Sequence, residues 1–510
     1  GRRAGCAAVA TLAAAAKAVV PPGRTTFVLS AQEVFSWVGL SSLIARGGPV
    51  DRVTILAPGE DARADVDRAT STLGSAAGGL GVVGPRTVRW LAPAVLQAGS
   101  HMEVVTAAEA AWLLQTAATA TGIRVGPDTA WVAAPPRASL RVAHTDEARS
   151  ASAAALTDLV ERHAVSAHEW SVRRAVLEAL PAWARARASV DDIGNVTVSA
   201  GSGDGATVFM AHMDEVGYVI ESIAGDGTVT LTAQGGVSAS AWEGQTALVH
   251  FDPPGAPSTT TGTGLQESRW VALSLAAAAP SPLKGVFRIR SSAEQKTPAV
   301  AQAWFGLDAA GLAARGVTVG LQVTSHKEGL RLGRTRYTAR ALDDRAGTVA
   351  LLRAINAIDP TQLPGKVYFV WSVHEEGGLF GAAAVARRLG ATTTRIYSID
   401  TFVSSDTPLE RRHFAYAPLG QGPVLRAIES SSVSPEHERE RTRRAAASAG
   451  IAIQTGLTQG GTDGTTFTFW GAPNQGLSWP GRYSHSPGEV LDLRDLDALG
   501  RLIAALATAR

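Results

Sequence analysis

The stretch YFVWSVHEEGGLFGAA, residues 368–383, runs from an apolar segment through an acidic turn into a segment of small residues. The apolar segment is rich in aromatic and β-branched residues, which favours a buried strand. Glu375 and Glu376 follow it, and two glycines then mark a turn before a helix-favouring run. A strand that passes through a polar turn into a helix is the repeating unit of α/β proteins, so this stretch predicts an α/β fold.

Helices and strands alternate on both sides of this stretch. The pattern predicts helix 345–358, strand 366–373, helix 379–389 and strand 394–400. This alternation is typical of a βαβ sheet. From residue 228 to about residue 335 the sequence is instead rich in strand-like segments and turns. We therefore expect an all-β block inserted into the α/β unit.

The composition limits the function classes. A chain of 510 residues exceeds the size of a single core, so we expect several domains. The net charge of +2 and the lack of a purely basic run give no reason to expect nucleic acid or a membrane surface as a partner. No apolar run reaches the roughly 18 residues of a membrane span. The one cysteine, Cys6, cannot form an intrachain disulfide, and we expect a reducing, cytoplasmic location.

Five short polar motifs lie near the predicted strand ends and near the C-terminus. They are HMDE (212–215), LDDRAG (342–347), HEEGG (374–378), SIDT (398–401) and GRYSHSP (481–487). In open α/β sheets, ligands bind at the carboxyl ends of the strands. The motifs bring two histidines and several carboxylates to that edge, and this mixture of nitrogen and oxygen donors suits zinc, cobalt or manganese.

A pair of metal ions needs one carboxylate that bridges them and terminal ligands for each ion. His212 and His485 can supply the terminal nitrogens. One aspartate of the pair Asp343 and Asp344 can bridge. Glu376 and Asp400, from two further motifs, can complete the ligands of the two ions.

Two more carboxylates lie beside this predicted site. Glu375 is not needed as a ligand and can take a proton from the attacking water. Asp214 follows His212 by two residues and can hold the second imidazole nitrogen. Taken singly, each motif has a structural explanation: a lone core or surface histidine, a helix cap, or a solvated acidic turn. Their joint presence at consecutive strand ends favours a metal site.

Longer stretches around these residues resemble the M42 family of metallo-aminopeptidases, the TET-like dimetal peptidases. Besides the opening stretch, the similar segments are AHMDEVGYVIESI (211–223), ALDDRAGTVALLRAI (341–355), TQGGTDGTTF (458–467) and GRYSHSPGEVLDLRDLDAL (481–499). The resemblance extends from about residue 156 to the C-terminus. It implies a mixed-sheet αβα dimetal peptidase domain in two parts, 150–216 and 339–510, with an all-β dimerisation domain inserted at 217–338.

The resemblance also implies a role for each candidate residue. Asp343 rather than Asp344 would bridge two divalent ions, which we expect to be zinc, with cobalt or manganese as alternatives. The terminal ligands would be His212, Glu376, Asp400 and His485. Glu375 would be the general base, and Asp214 would orient the imidazole of His212. Trp479 stands where the family usually has an aliphatic residue.

These roles predict a metal-dependent aminopeptidase that removes the N-terminal residue of short peptides. A water that bridges the metal ions, activated by Glu375, would attack the scissile carbonyl. By the same resemblance we expect a homo-oligomer built from dimers, with a dodecamer as one form. Two alternatives stay open: a dimetal deacylase acting on blocked substrates, and a non-catalytic scaffold subunit. A carbohydrate hydrolase with paired carboxylates would leave both histidines without a role.

The N-terminal part of the chain resembles the part that follows residue 342. PGRTTFVLSAQEV (22–34) aligns without a gap with PGKVYFVWSVHEE (364–376). DRVTILAP (51–58) aligns with TRIYSIDT (394–401). We therefore expect residues 1–145 to form a degenerate α/β half-repeat of the peptidase domain.

This predicted copy lacks the metal ligands. Glu33 stands in the position of Glu375, but Val34 replaces Glu376 and cannot coordinate a metal. The positions of Asp343, Asp400 and His485 are occupied, in that order, by Gly1, Ala57 and Leu140. We expect the half-repeat to be metal-free and catalytically inactive.

Overall fold

The chain divides into two compact units, Gly1–Ala138 and Ser139–Arg510. The computed structural model describes a few single residues before residue 52 and then residues 52–56, 87–91, 107–121, 146–251, 280–290, 300–406 and 415–509. None of the helices in these ranges has the length and apolarity needed to cross a membrane.

The first unit contains a parallel pair of strands, β1 (Arg52–Leu56) and β2 (Thr87–Leu91). Helix α1 (Ala107–Thr121) contributes Ala117 and Ala118 to a small buried apolar cluster. Under the predicted repeat, β1 and β2 would correspond to strands near residues 393–403 and 424–428, yet those two strands pair with a third strand rather than with each other. Glu33 and the positions that replace the ligands lie outside the described residues, so the half-repeat stays a prediction.

The second unit alternates strands and helices. Its strands are β3 (Ala188–Val190), β4 (Val196–Ala200), β5 (Ala206–His212), β6 (Gly217–Ile223), β7 (Thr228–Gln234), β8 (Thr246–Val249), β9 (Leu283–Phe287), β10 (Ala301–Trp304), β11 (Gln322–Ser325), β12 (Leu330–Leu332), β13 (Arg336–Ala339), β14 (Lys366–Ser372), β15 (Thr393–Val403), β16 (Val424–Ile428), β17 (Gln454–Leu457), β18 (Asn474–Arg482) and β19 (Glu489–Asp492). Its α-helices are α2 (Asp146–Val160), α3 (Trp170–Ala179), α4 (Ala182–Arg185), α5 (Ala239–Trp242), α6 (Ala309–Ala314), α7 (Leu342–Ala357), α8 (Phe380–Leu389), α9 (Glu436–Ser448), α10 (Thr465–Thr468) and α11 (Leu493–Thr508).

Eleven of these strands form one mixed sheet. Its main path has the order β12-β13-β19-β18-β15-β5-β14-β4-β3, and β16 and β17 extend it beside β18. The central strands β18, β15, β5 and β14 are parallel, and the other pairs along the main path are antiparallel. β16 and β17 are parallel to each other. The carboxyl ends of the parallel strands therefore meet at one edge of the sheet.

The central strand β5 directs successive side chains to opposite faces of this sheet. Phe209 and Ala211 join the apolar cluster that includes α2, α3, α7 and α11. Val208 and Met210 join a second cluster with α8 and α10. All four side chains are buried. Helices thus cover both faces, which is the αβα layering that the resemblance implied.

The C-terminal helix α11 illustrates how local sequence defines these helices. Asp492 caps it by accepting a hydrogen bond from the Arg494 N–H. Leu496, Leu499 and Ile503 recur at helical spacing and are fully buried. This apolar stripe packs α11 against α7 and α2.

The inserted segment forms a closed six-stranded barrel with the order β10-β7-β6-β11-β8-β9. Its interior is an apolar cluster of its own, in which Trp242 lies 5.4 Å from Tyr218 and 5.5 Å from Phe287 between ring centroids. The barrel ends at β11. β12 and β13, which the predicted boundary at residue 338 assigned to the insertion, join the large sheet, where β13 pairs with β19.

Candidate metal centre

The candidate residues come together where the parallel strands end. β5 ends at His212, which is in register with Ser372 at the end of β14. Asp400 lies on β15, the neighbour of β5 on its other side. His212 and Asp214 are buried below a cleft of about 450 Å³. The other candidates line this cleft: Asp343, Glu375, Glu376, Asp400 and His485.

Asp343 lies between the two histidines. Its Oδ1 is 3.4 Å from Nε2 of His212, and its Oδ2 is 3.6 Å from Nε2 of His485. Ser484 Oγ donates a hydrogen bond to Oδ2 at 2.6 Å. The two oxygens of one carboxylate therefore face two different imidazoles.

Each histidine also has a carboxylate partner of its own. Glu376 Oε2 lies 3.3 Å from Nε2 of His485. Asp400 Oδ1 lies 3.9 Å from Nε2 of His212. The site thus consists of two similar halves, each with one imidazole and one carboxylate, joined by Asp343.

Hydrogen bonds fix the orientation of both imidazoles. His212 Nδ1 lies 3.2 Å from the carbonyl oxygen of Asp214, and His485 Nδ1 lies 2.8 Å from that of Gly236. A carbonyl oxygen can only accept, so Nδ1 carries the proton in each ring. Nε2 is therefore the nitrogen that each histidine can offer to a metal.

Asp214 supports the site from below. Its Oδ1 lies 3.5 Å from Nδ1 of His212. Its carboxylate accepts hydrogen bonds from the main-chain N–H groups of Glu375 and Glu376, at 3.0 and 3.1 Å, and from Ser166 Oγ at 2.6 Å. One side chain thus holds both the histidine and the turn that carries the two glutamates.

The family model of the M42 glutamyl aminopeptidases matches residues 194–266 and 286–502, which is more than half of the chain. The chain belongs to the M42 peptidase family. The matched segments contain all the candidate site residues.

Relatives and solved structures agree with this assignment. The putative aminopeptidase SgcX of Escherichia coli K12 is 28% identical over 390 residues, which cover 69% of this chain and 92% of SgcX. Aminopeptidase APDkam598 of Desulfurococcus kamchatkensis has a TM-score of 0.61 and 27% identity, and the match covers 71% of this chain and 96% of that one. The Pyrococcus horikoshii TET1 peptidase has a TM-score of 0.58 and 29% identity, covering 70% and 100%. This M42 member is a metal-dependent aminopeptidase, a hydrolase of peptide bonds.

The electrostatics of this M42 site suit divalent cations. Burial raises the pKa values of Glu375 and Glu376 well above their usual range, and neighbouring carboxylates raise them further against the opposing effect of His212. Burial likewise raises the pKa of Asp400 to about 7, although Arg426 opposes it. Glu376 Oε1 is buried with no hydrogen-bond partner among the described residues. Divalent cations would compensate this buried negative charge and give that oxygen a partner.

Glu489 belongs to the site although the sequence did not single it out. Its carboxylate accepts the main-chain N–H of Asp343 and the main-chain N–H of His485, each at 2.9 Å. It therefore ties together two candidate ligands from distant parts of the sequence. The available signal was only its place four residues after His485.

The barrel also reaches the site, which the sequence did not predict. Besides the Gly236 contact, Trp242 Nε1 and the Ser238 N–H donate to the carbonyl oxygen of His485, both at 3.1 Å. A side chain at position 236 would place its Cβ 3.0 Å from the imidazole. The insertion thus helps to position one candidate ligand.

Asp344 has surroundings different from those of Asp343. Its Oδ1 accepts hydrogen bonds from Trp479 Nε1 at 2.8 Å and from the Gly347 N–H at 2.9 Å. Trp479, which stands where the family usually has an aliphatic residue, therefore binds Asp344, the residue next to Asp343. These contacts hold Asp344 against the sheet and the start of α7, whereas Asp343 faces the imidazoles.

Proposed function

We propose that two divalent metal ions bind in the two halves of this site, with Asp343 as the bridging ligand. The supporting observation is that Oδ1 and Oδ2 of Asp343 face different imidazoles. His212 and Asp400 would hold one ion, and His485 and Glu376 the other. Imidazole and carboxylate donors fit zinc best, with cobalt or manganese also suitable. When bound, such ions polarise the scissile carbonyl and acidify the attacking water.

Glu375 is the general base in this proposal. Its side chain lines the cleft, and its main-chain N–H is fixed by Asp214. The ligand contacts described above involve Glu376 and not Glu375. The carboxylate of Glu375 can therefore accept the proton of the attacking water and pass it to the leaving amine. Asp214 acts through His212, whose ring it orients.

The proposed substrates are short peptides with a free N-terminus, from which the enzyme removes the first residue. A cleft of about 450 Å³ accommodates a residue side chain and the adjoining peptide bond. The carboxylates around it suit a positively charged α-amine. We propose a cytoplasmic location, which is consistent with the single cysteine.

We also propose a homo-oligomer in which the barrel joins subunits into dimers. The structure of the P. horikoshii TET1 peptidase is described as a tetrahedron or a large octahedral shell. The PhTET1-12s structure is a dodecamer, and we propose a dodecamer as one form of the assembly here. Residues 1–145 would remain a metal-free partial copy that takes no part in the chemistry.

Paired measurements of metal content and peptide cleavage test the function. We expect about two zinc ions per chain, loss of cleavage on chelation, and recovery when zinc is restored. Matched peptides with free and acetylated N-termini separate the candidates. Preference for the acetylated peptide would indicate a deacylase, and metal binding without cleavage of either would indicate a scaffold subunit.

A further inference from the structure

Arg426 lines the cleft beside the candidate ligand Asp400, and its guanidinium has several polar partners. It is buried on β16. Its Nε donates to Ser478 Oγ at 2.8 Å, and its Nη1 donates to Glu429 Oε2 at 3.1 Å. Its Nη2 donates to the carbonyl oxygen of Thr401 and lies 3.5 Å from Oδ2 of Asp400.

Because of this guanidinium, the two oxygens of Asp400 have different surroundings. Oδ2 faces Arg426, whereas Oδ1 accepts the Thr401 N–H at 2.6 Å and lies 3.9 Å from Nε2 of His212. Only Oδ1 is thus directed toward the histidine. A positive charge beside a carboxylate also reduces the attraction of that carboxylate for a cation.

Glu376, the carboxylate of the other half, has opposite surroundings. Its Oε2 lies 3.3 Å from Nε2 of His485, and its buried Oε1 has no hydrogen-bond partner in the described part of the chain. Both of its oxygens remain available. The two halves of the site therefore offer unequal carboxylates.

Arg426 is also connected, through Glu429, to another part of the cleft lining. Glu429, its partner on the far side, accepts hydrogen bonds from Ser432 Oγ at 2.8 Å and from Thr462 Oγ1 at 3.0 Å. Thr462 directly follows the loop 459–461, which lines the cleft. The guanidinium is therefore held by Glu429 as well as by its contacts near Asp400.

We propose that Arg426 is a positioning residue that holds Asp400 as a ligand through one oxygen, and so controls the affinity of the His212 half separately from the His485 half. This inference rests on the dimetal site proposed above. Partners of metal ligands typically change metal affinity by about 10- to 100-fold when they are removed. Lysine is a suitable replacement because it keeps the charge but lacks the planar fork that makes these simultaneous contacts.

The test measures zinc affinity of the metal-stripped full chain by competition with a chelator, in two backgrounds. His485→Ala leaves the ion of the His212 half, and His212→Ala leaves the ion of the His485 half. We expect Arg426→Lys to weaken zinc binding about 10- to 100-fold in the His485→Ala background and to leave it unchanged in the His212→Ala background. Arg353→Lys is the matched control, because Arg353 pairs with Asp497 between α7 and α11.

A second variant covers the case in which Arg426→Lys does not fold. Glu429→Gln removes the charge that anchors the guanidinium and should cause a smaller loss in the same background only. Equal effects in both backgrounds, or none from either variant, would overturn the role of Arg426. If both single histidine variants still bind two zinc ions, the dimetal site itself is wrong.

Discussion

Replacing Glu375 with glutamine keeps the size of the side chain and removes its capacity to accept a proton. The main-chain N–H that Asp214 holds is unchanged, and the His212–Asp343–His485 contacts do not include this side chain. We therefore expect normal metal content. General-base catalysis contributes about 10²- to 10⁴-fold, so kcat should fall by that factor. This corresponds to about 2.7–5.5 kcal/mol of activation free energy.

The assay combines steady-state cleavage of a peptide with a free N-terminus and elemental analysis of the same sample. KM should change little, because the proposed function of Glu375 is in the proton transfer rather than in substrate binding. Glu33→Gln provides a matched control within the chain, because Glu33 stands in the same position of the predicted half-repeat. We expect that variant to retain full activity.

Two outcomes would refute this reasoning. A Glu375→Gln enzyme with an unchanged kcat would show that another group accepts the proton. A variant that loses metal together with activity would show that Glu375 is a ligand. A large loss of turnover in Glu33→Gln would instead contradict the inactivity of the N-terminal copy.

Three further predictions concern other parts of the molecule. Glu489→Gln keeps one of the two acceptors that hold the Asp343 and His485 N–H groups, so zinc affinity should fall by about 10-fold in a chelator competition. Gly381→Ala would place a Cβ 2.1 Å from the carbonyl oxygen of Val373, and denaturant unfolding should show a loss of about 1–3 kcal/mol. Burial, together with the charges of His163, Arg340 and His168, lowers the pKa of His250 well below its usual range, so the folded protein keeps this ring neutral. As the pH falls below about 6.5, the unfolded chain binds a proton that the folded chain excludes, and the unfolding free energy should drop by up to about 1.4 kcal/mol per pH unit. The drop should be smaller in His250→Gln.

The sequence predicted the elements that carry the site because they follow local rules. The predicted strand 366–373 and helix 379–389 match β14 (Lys366–Ser372) and α8 (Phe380–Leu389). The candidate ligands could be grouped because parallel strands bring their carboxyl ends to one edge of a sheet. The boundary at residue 338 was wrong, since a strand pattern does not reveal which of two sheets a strand will join.

The residues that the sequence did not reveal act through long-range contacts. Glu489 and Gly236 bind main-chain or ring atoms of residues that are brought near only by the fold. Arg426 lies within a strand, and the sequence around it does not distinguish it from other polar residues in strands. Such partners have no local spacing rule, because what they recognise is created by the tertiary structure.

The backbone around the candidate metal centre also departs from local preference. In the described part of the chain, left-handed backbone angles occur at one candidate ligand, His485, and at non-glycine residues close to the others. These are Ala341, His374, Leu379, Tyr483 and His485. Such conformations cost of order 1–3 kcal/mol each and persist where the surrounding structure imposes them. Asp214, Glu489 and the barrel supply those constraints through their hydrogen bonds to the same turns. Residue propensities therefore predict where the turns lie but not how the candidate ligands are oriented. That orientation requires locally unfavourable backbone angles, which hydrogen bonds from distant residues maintain.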